Sequence, residues 1–147
     1  MTDKIYYSKS EKDTFNIAAE FTKVLKKGDV VFLIGDLGMG KTTFVKGIAQ
    51  ALGIRSRILS PTFSLIRTHE ISGNSKINTI HHVDLYRVGD KDKAMEEIFK
   101  EFLSNKEGVI IIEWPKKKTN IEANWVVQFE EKDSAREIQI KNERKKY

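Results

Sequence analysis

A chain of 147 residues, 39% hydrophobic and 32% charged, has the length and balance of one soluble domain spanning 1–147, with little room for a second module. No apolar run approaches the ~20 residues of a membrane-spanning helix, and MTDKIYYSKSEKD at the start lacks the apolar segment of a secretory signal; membrane and exported classes are set aside and a cytoplasmic protein is expected. Without cysteine there is no disulfide framework or thiolate metal site, and the formal charge of +5 leaves a polyanionic partner such as RNA open, although KKK at 116–118 and ERKK at 143–146 read as solvated loop and tail.

In chain order, a short edge-like strand at Ile5–Tyr7 precedes SEKDTFNIAAEFTKVL. There Phe15, Ala18, Ala19, Phe21, Thr22 and Leu25 recur at helical spacing, with Ser10 as N-cap and Gly28 as the stop. DVVFLI has no polar alternation, as a strand covered on both faces requires, and runs straight into LIGDLGMGKTTF. Lys41–Leu52 reads as the following helix, closed by Gly53. FSLIRTHEI and INTIHHVDLY, on either side of SGNSK, predict an antiparallel hairpin. KAMEEIFKEFL predicts a helix capped by Asp90 or Asp92, with Met95, Ile98, Phe99 and Phe102 as its apolar stripe. GVIIIEW is a second apolar strand that ends in an acid, and WVVQFEE and REIQIK form a hairpin around KDSA. The expected architecture is α/β, a P-loop NTPase-like mixed β-sheet with flanking helices.

Gly35, Gly40, Lys41 and Thr42 meet the spacing G-x-x-x-x-G-K-[ST] between a buried-strand signature and a helix, the context that gives this pattern meaning. Glycines allow a tight loop whose amides turn inward, and the start of the helix adds the positive end of its dipole. The loop and first helical turn, Asp36, Leu37, Gly38, Met39, Gly40, Lys41, Thr42 and Thr43, are therefore the candidate phosphate cradle. Lys41 would reach the β and γ oxygens, and the Thr42 hydroxyl would serve Mg²⁺, which takes few protein ligands. ATP or GTP fits this cradle.

Hydrolysis also needs an acid to order the metal and a group to position water. Glu113, at the end of VIII, stands where a strand-end carboxylate can sit beside Mg²⁺; Asp84, in HHVDLYR, could organise the metal's waters or the attacking water. The alternative for each is a carboxylate that caps a loop or pairs with a lysine or arginine. SPTF, residues 60–63, could respond to the γ-phosphate as a switch or be an ordinary turn. His81 and His82 are neighbours on a strand and point to opposite faces, which argues against a zinc pair. Arg87 is a candidate phosphate contact or a surface ion pair, and Trp114 with Pro115 an aromatic corner or a packed tryptophan.

GDLGMGKTTFVKG, SPTFSL, HHVDLYR and IIIEWP, in that order and spacing, resemble the TsaE (YjeE) family, the small bacterial P-loop ATPases of tRNA threonylcarbamoyladenosine formation. The resemblance runs from Glu11 to about Arg136. It implies a mixed α/β fold, ATP and Mg²⁺ as cofactors and a slow intrinsic ATPase. It further implies action with TsaD and TsaB subunits that modify an adenosine of tRNAs reading ANN codons, with tRNA met through that complex. By the same resemblance Lys41 and Thr42 match the phosphate and magnesium positions and Glu113 the second magnesium ligand. Asp84 matches the acid of DLYR, Thr62 the threonine of the switch-like loop and Trp114 the tryptophan beside the acid. Glu11, Thr14 and Arg136 match positions that border the nucleotide. Met39 departs from the family's small alanine, and VGDKDKAMEEIFKEFL follows its acid-rich helix only loosely, which bears on partner contacts.

Two other functions fit a phosphate cradle. A small-molecule kinase would need a lid and arginines around an acceptor, and no arginine-rich insertion is evident. A non-hydrolytic scaffold would use the nucleotide only to order an interface. With no acceptor pocket, nucleophile or second domain apparent, conformational output from hydrolysis is the main expectation.

Overall fold

VVFLI and VIIIE lie side by side at the centre of a mixed sheet, where apolar residues on both faces are covered. The computed structural model describes residues 3–36, 38–54, 66–71, 76–84, 97, 100–101, 103–104, 107–113 and 121–144. Their elements are β1 (Lys4–Ser8), α1 (Glu11–Thr22), β2 (Val30–Ile34), α2 (Lys41–Ala51), β3 (Ile66–Glu70), β4 (Thr79–Asp84), β5 (Val109–Glu113), β6 (Trp125–Lys132) and β7 (Ala135–Asn142). The seven strands form one sheet in the order β1-β7-β6-β2-β5-β4-β3. The inner four, β6-β2-β5-β4, are mutually parallel, and β3 and β7 pair antiparallel at their flanks. β1 joins the outer side of β7, the edge position its sequence predicts.

Alternation along the strands sorts side chains into two layers. On one face Val31, Leu33, Ile111, Trp125, Val127 and Ile138 pack against Ile17, Ala18 and Phe21 of α1 and Phe44, Val45 and Ile48 of α2. Phe21 sits at the centre: its ring is 5.8 Å from Phe44 and meets Trp125 edge-on at 5.3 Å, while Phe44 meets Phe129 edge-on at 5.5 Å. On the other face Val30, Val83, Ile110 and Ile112 pack with Phe32, Ile66, Leu103 and Ile121.

Most predicted elements are present, with differences at their ends. Ser10 caps α1 by accepting a hydrogen bond from the Asp13 amide, but the helix stops at Thr22, and buried Leu25 reaches the core from the turn before Gly28. The predicted β3–β4 hairpin is antiparallel, with the tip at 72–75 outside the described residues. Glu97, Lys100, Glu101, Leu103 and Ser104 are helical, in agreement with the predicted helix; Asp90, Asp92, Met95, Ile98, Phe99 and Phe102 lie outside the described residues, as do Arg87 and Pro115. The last hairpin closes through Asp133 and Ser134, both at positive φ (50° and 66°), the two-residue turn whose twist suits antiparallel strands.

The C-terminal ERKK run does not behave as a wholly solvated tail. Arg144 folds back onto the buried Asp29 carboxylate, with its guanidinium 5.7 Å over the Trp125 ring. Asp29 also accepts from the Trp125 indole and the Lys26 amide, so a buried charge that would otherwise be costly is satisfied by three donors.

Candidate functional site

The parallel strands β2, β4 and β5 all finish at one edge of the sheet, and the candidate residues gather there. From the end of β2 the chain turns at Gly35 towards α2. A Cβ at Gly35 would lie 2.9 Å from Phe129 Cβ and 3.1 Å from its carbonyl oxygen, so β6 leaves no room for a side chain. Gly40 is the N-cap of α2 at φ 99°, a left-handed conformation that favours glycine. A Cβ on Gly40 would stand 2.9 Å from Nη1 of Arg136, so the bare backbone also admits a guanidinium.

No side chain caps α2 and no acid sits in its first turn. Amides of a first turn have no intrahelical carbonyl to bond, and Lys41, Thr42 and Thr43 occupy that turn at the positive end of the helix. Asp36 lies in the loop, where its carbonyl accepts from the Met39 amide at 3.2 Å. This is an anion-binding arrangement built from backbone.

Lys41 is the cation within it. Its side chain is buried at 5% exposure, and Nζ donates to the Gly35 carbonyl, which folds the ammonium back over the loop. Burial pushes the ammonium below its ordinary 10.5, while the carboxylates of Glu113, Asp84 and Asp36 pull it up. All three acids therefore address Lys41.

Glu113 and Asp84 are each the last residue of their strand and face one another in register across β5 and β4. Glu113 is buried, and its Oε2 lies 3.1 Å from Nε2 of fully buried His82. His81 turns to the opposite face, where Nδ1 is 3.0 Å from the Thr68 hydroxyl. The histidines thus separate as strand alternation requires. The sequence reading missed His82 as a neighbour of Glu113. Its signal was its place two residues before Asp84, which puts both on one face.

Beside the loop is a cavity of about 330 Å³ lined by Ser8, Ser10, Glu11, Met39, Ser134 and Arg136. Glu11 and Arg136 line this space, and Met39 lines it as well while packing against the main core. Thr14 does not line it: the residue is buried, with its hydroxyl 2.7 Å from that of Ser8, and it braces the wall from behind. Leu37, Thr62 and Trp114 lie outside the described residues.

Among the described residues no group of three His, Cys, Asp or Glu could hold a metal unaided. The carboxylates that act on Lys41 are those of Glu113, Asp84 and Asp36, and the Thr42 hydroxyl is carried by the next residue of α2. Few protein oxygens, completed by phosphate and water, suit Mg²⁺ better than Zn²⁺. No helix among the described residues is long and apolar enough to cross a membrane.

The family model described as "Threonylcarbamoyl adenosine biosynthesis protein TsaE" matches residues 8–145. Among curated relatives, "tRNA threonylcarbamoyladenosine biosynthesis protein TsaE" of Aquifex aeolicus is 42% identical over 107 residues, covering 71% of each chain. The protein of the same name from Haemophilus influenzae is 31% identical over 141 residues, 91% of this chain and 86% of that one. The crystal structure of YdiB from Bacillus subtilis superposes with a TM-score of 0.71 at 27% identity, covering 95% of this chain and 84% of the other. The P-loop between β2 and α2, the two strand-end acids and these matches lead to one conclusion: the chain belongs to the TsaE family of threonylcarbamoyladenosine biosynthesis proteins.

Proposed function

We propose that this chain is a Mg²⁺-dependent ATPase that serves threonylcarbamoyladenosine formation in tRNA, slow alone and gated by TsaD and TsaB in the cytoplasm. The observation that carries the reading is Lys41, buried at the mouth of the loop and faced by Glu113 and Asp84 from the ends of two parallel strands. Backbone amides of the loop and of Thr42 and Thr43 hold the phosphates, and Lys41 leaves the Gly35 carbonyl to meet them. The Thr42 hydroxyl and Glu113 would hold Mg²⁺, which would supply neutralisation of the triphosphate's charge. Asp84 orders water on the same side. Glu11, Asp36, Leu37, Gly38, Met39, Gly40, Trp114 and Arg136 surround the nucleotide, and Thr62 reports on the γ-phosphate.

Hydrolysis is read as a reset of the modifying complex. The family's place in tRNA modification supports that output. The test is ADP release from Mg²⁺ and ATP by the chain alone, then with TsaD, TsaB and a substrate tRNA. Stimulation that vanishes in Lys41→Ala and Glu113→Gln supports the reading, and turnover unchanged by the partners refutes the gating.

A further inference from the structure

We infer that His82 is a positioning residue: its Nε2–H ties down one oxygen of Glu113 and thereby fixes where the other oxygen meets the metal end of the site. The inference rests on the reading of Glu113 as the metal-side carboxylate.

Three features of the pair carry it. His82 and Glu113 are 3.1 Å apart with both side chains buried, at 0% and 4% exposure, so the bond is not a solvent-exchanged surface contact. A carboxylate can only accept, which assigns the donor to Nε2–H. The bond also runs diagonally: the register sets Glu113 across from Asp84, yet Glu113 bonds to the residue two places earlier on β4. His82 thus draws one oxygen back along the sheet, away from the like-charged residue directly opposite, and Oε1 remains for other work.

The arrangement is poorly suited to stability alone. Nδ1 of His82 is buried and has no hydrogen-bond partner among the described residues, and an unpaired buried ring nitrogen costs free energy that an apolar side chain in the same space would avoid. An imidazole here is expensive unless its donor is needed. Glutamate has three free torsions, and fixing its carboxylate before the metal arrives removes a reorganisation that binding would otherwise have to supply.

The test exploits the two nitrogens. A glutamine amide places its NH₂ near the position of Nε2, whereas an asparagine amide reaches only the position of Nδ1. ADP binding is measured by calorimetry over a Mg²⁺ series and in EDTA, for wild type, His82→Gln, His82→Asn, His82→Leu and Glu113→Gln. His82→Asn and His82→Leu are expected to raise the Mg²⁺ needed for half-maximal effect by about 10–100-fold, with metal-free ADP affinity unchanged, and His82→Gln to restore it.

Folded Asn and Leu variants with wild-type Mg²⁺ dependence overturn the inference. So does an equal loss in EDTA, the mark of a merely structural role. If Glu113→Gln itself leaves the Mg²⁺ dependence unchanged, the underlying assignment of Glu113 falls instead. Should the variants fail to fold, wild-type protein with ¹⁵N-labelled histidine decides: the His82 Nε2–H signal should shift when Mg²⁺ is added to the ADP complex, and a signal indifferent to Mg²⁺ overturns the inference.

Discussion

Asp84 and Glu113 share one register position on adjacent parallel strands, so two acids end at the same depth beside the only lysine of the phosphate loop. Like charges directly opposite in a sheet are unfavourable, and the pair is retained next to a buried ammonium that both attract. Such a cluster trades stability for charge where an anion and a cation are to meet.

On the proposed function, replacing Lys41 by Ala removes a charge-assisted contact to phosphate worth about 1.5–3 kcal/mol, so ATP affinity should fall between about tenfold and somewhat over a hundredfold. The fold should survive with a lowered melting temperature, because Glu113 and Asp84 then face each other without the ammonium that offsets them. Calorimetric titration alongside a melting curve checks both halves; wild-type affinity would remove Lys41 from the site.

Glu113→Gln keeps the shape and loses the charge. Loss of an outer partner of a metal ligand already costs about 10–100-fold, so if Glu113 has the proposed metal-side role, loss of its charge should lower Mg²⁺-dependent hydrolysis by about 100-fold or more. Metal-free nucleotide binding should change little. Steady-state ADP release at saturating ATP measures the first and titration in EDTA the second.

Gly47 sits where α2 crosses α1. A Cβ there would lie 2.7 Å from Ala18 Cβ and 3.1 Å from the Phe15 ring. Alanine gains up to about 1 kcal/mol of helix propensity, but overpacking at a backbone crossing costs about 1–3 kcal/mol. Gly47→Ala should therefore destabilise, seen as a lower urea midpoint; a higher midpoint would show that the helices can separate at little cost.

Acid should weaken the fold near neutrality. Burial pushes His81 below its ordinary 6.5; for His69 burial acts first, with His82 and Arg67 adding to it. Between the lowered native value and 6.5 the unfolded chain binds protons that the native chain refuses, so stability rises with pH in that window. The contribution is complete above 6.5 and is lost as pH falls below it. Urea midpoints taken from about pH 8 to about pH 5 should decline, and His81→Asn should flatten part of the decline. Parallel slopes for variant and wild type would rule His81 out as a source.

What could be read from the sequence was what is local. The strand–loop–helix of Val30–Ala51 is written in a continuous apolar run, three loop glycines and a helical period, and Glu113 and Asp84 show themselves as acids that end apolar strands. Pairings fixed by register are another matter. The His82–Glu113 bond spans 31 residues and depends on β4 and β5 being parallel and in step. The closure of Arg144 on Asp29 spans 115 residues, and nothing in ERKK distinguishes a folded-back arginine from a solvated one. Thr14 illustrates the converse: its place in the motif is legible, but only the packing of α1 on β1 reveals that its hydroxyl turns to Ser8.

The outermost strand has a consequence in time. Among the described residues β1 pairs with β7 alone, Lys4 opposite Ile140 and Ser8 opposite Arg136, so a strand made early waits for one made much later before it has a partner. Ser8, Ser10 and Glu11 on one wall of the cavity and Arg136 on the other are joined by that pairing. The P-loop can form on a nascent chain once its central strands exist, whereas the cavity beside it is completed only when β1 and β7 pair. A ribosome-bound fragment ending before β7 would carry the phosphate cradle without its neighbouring wall.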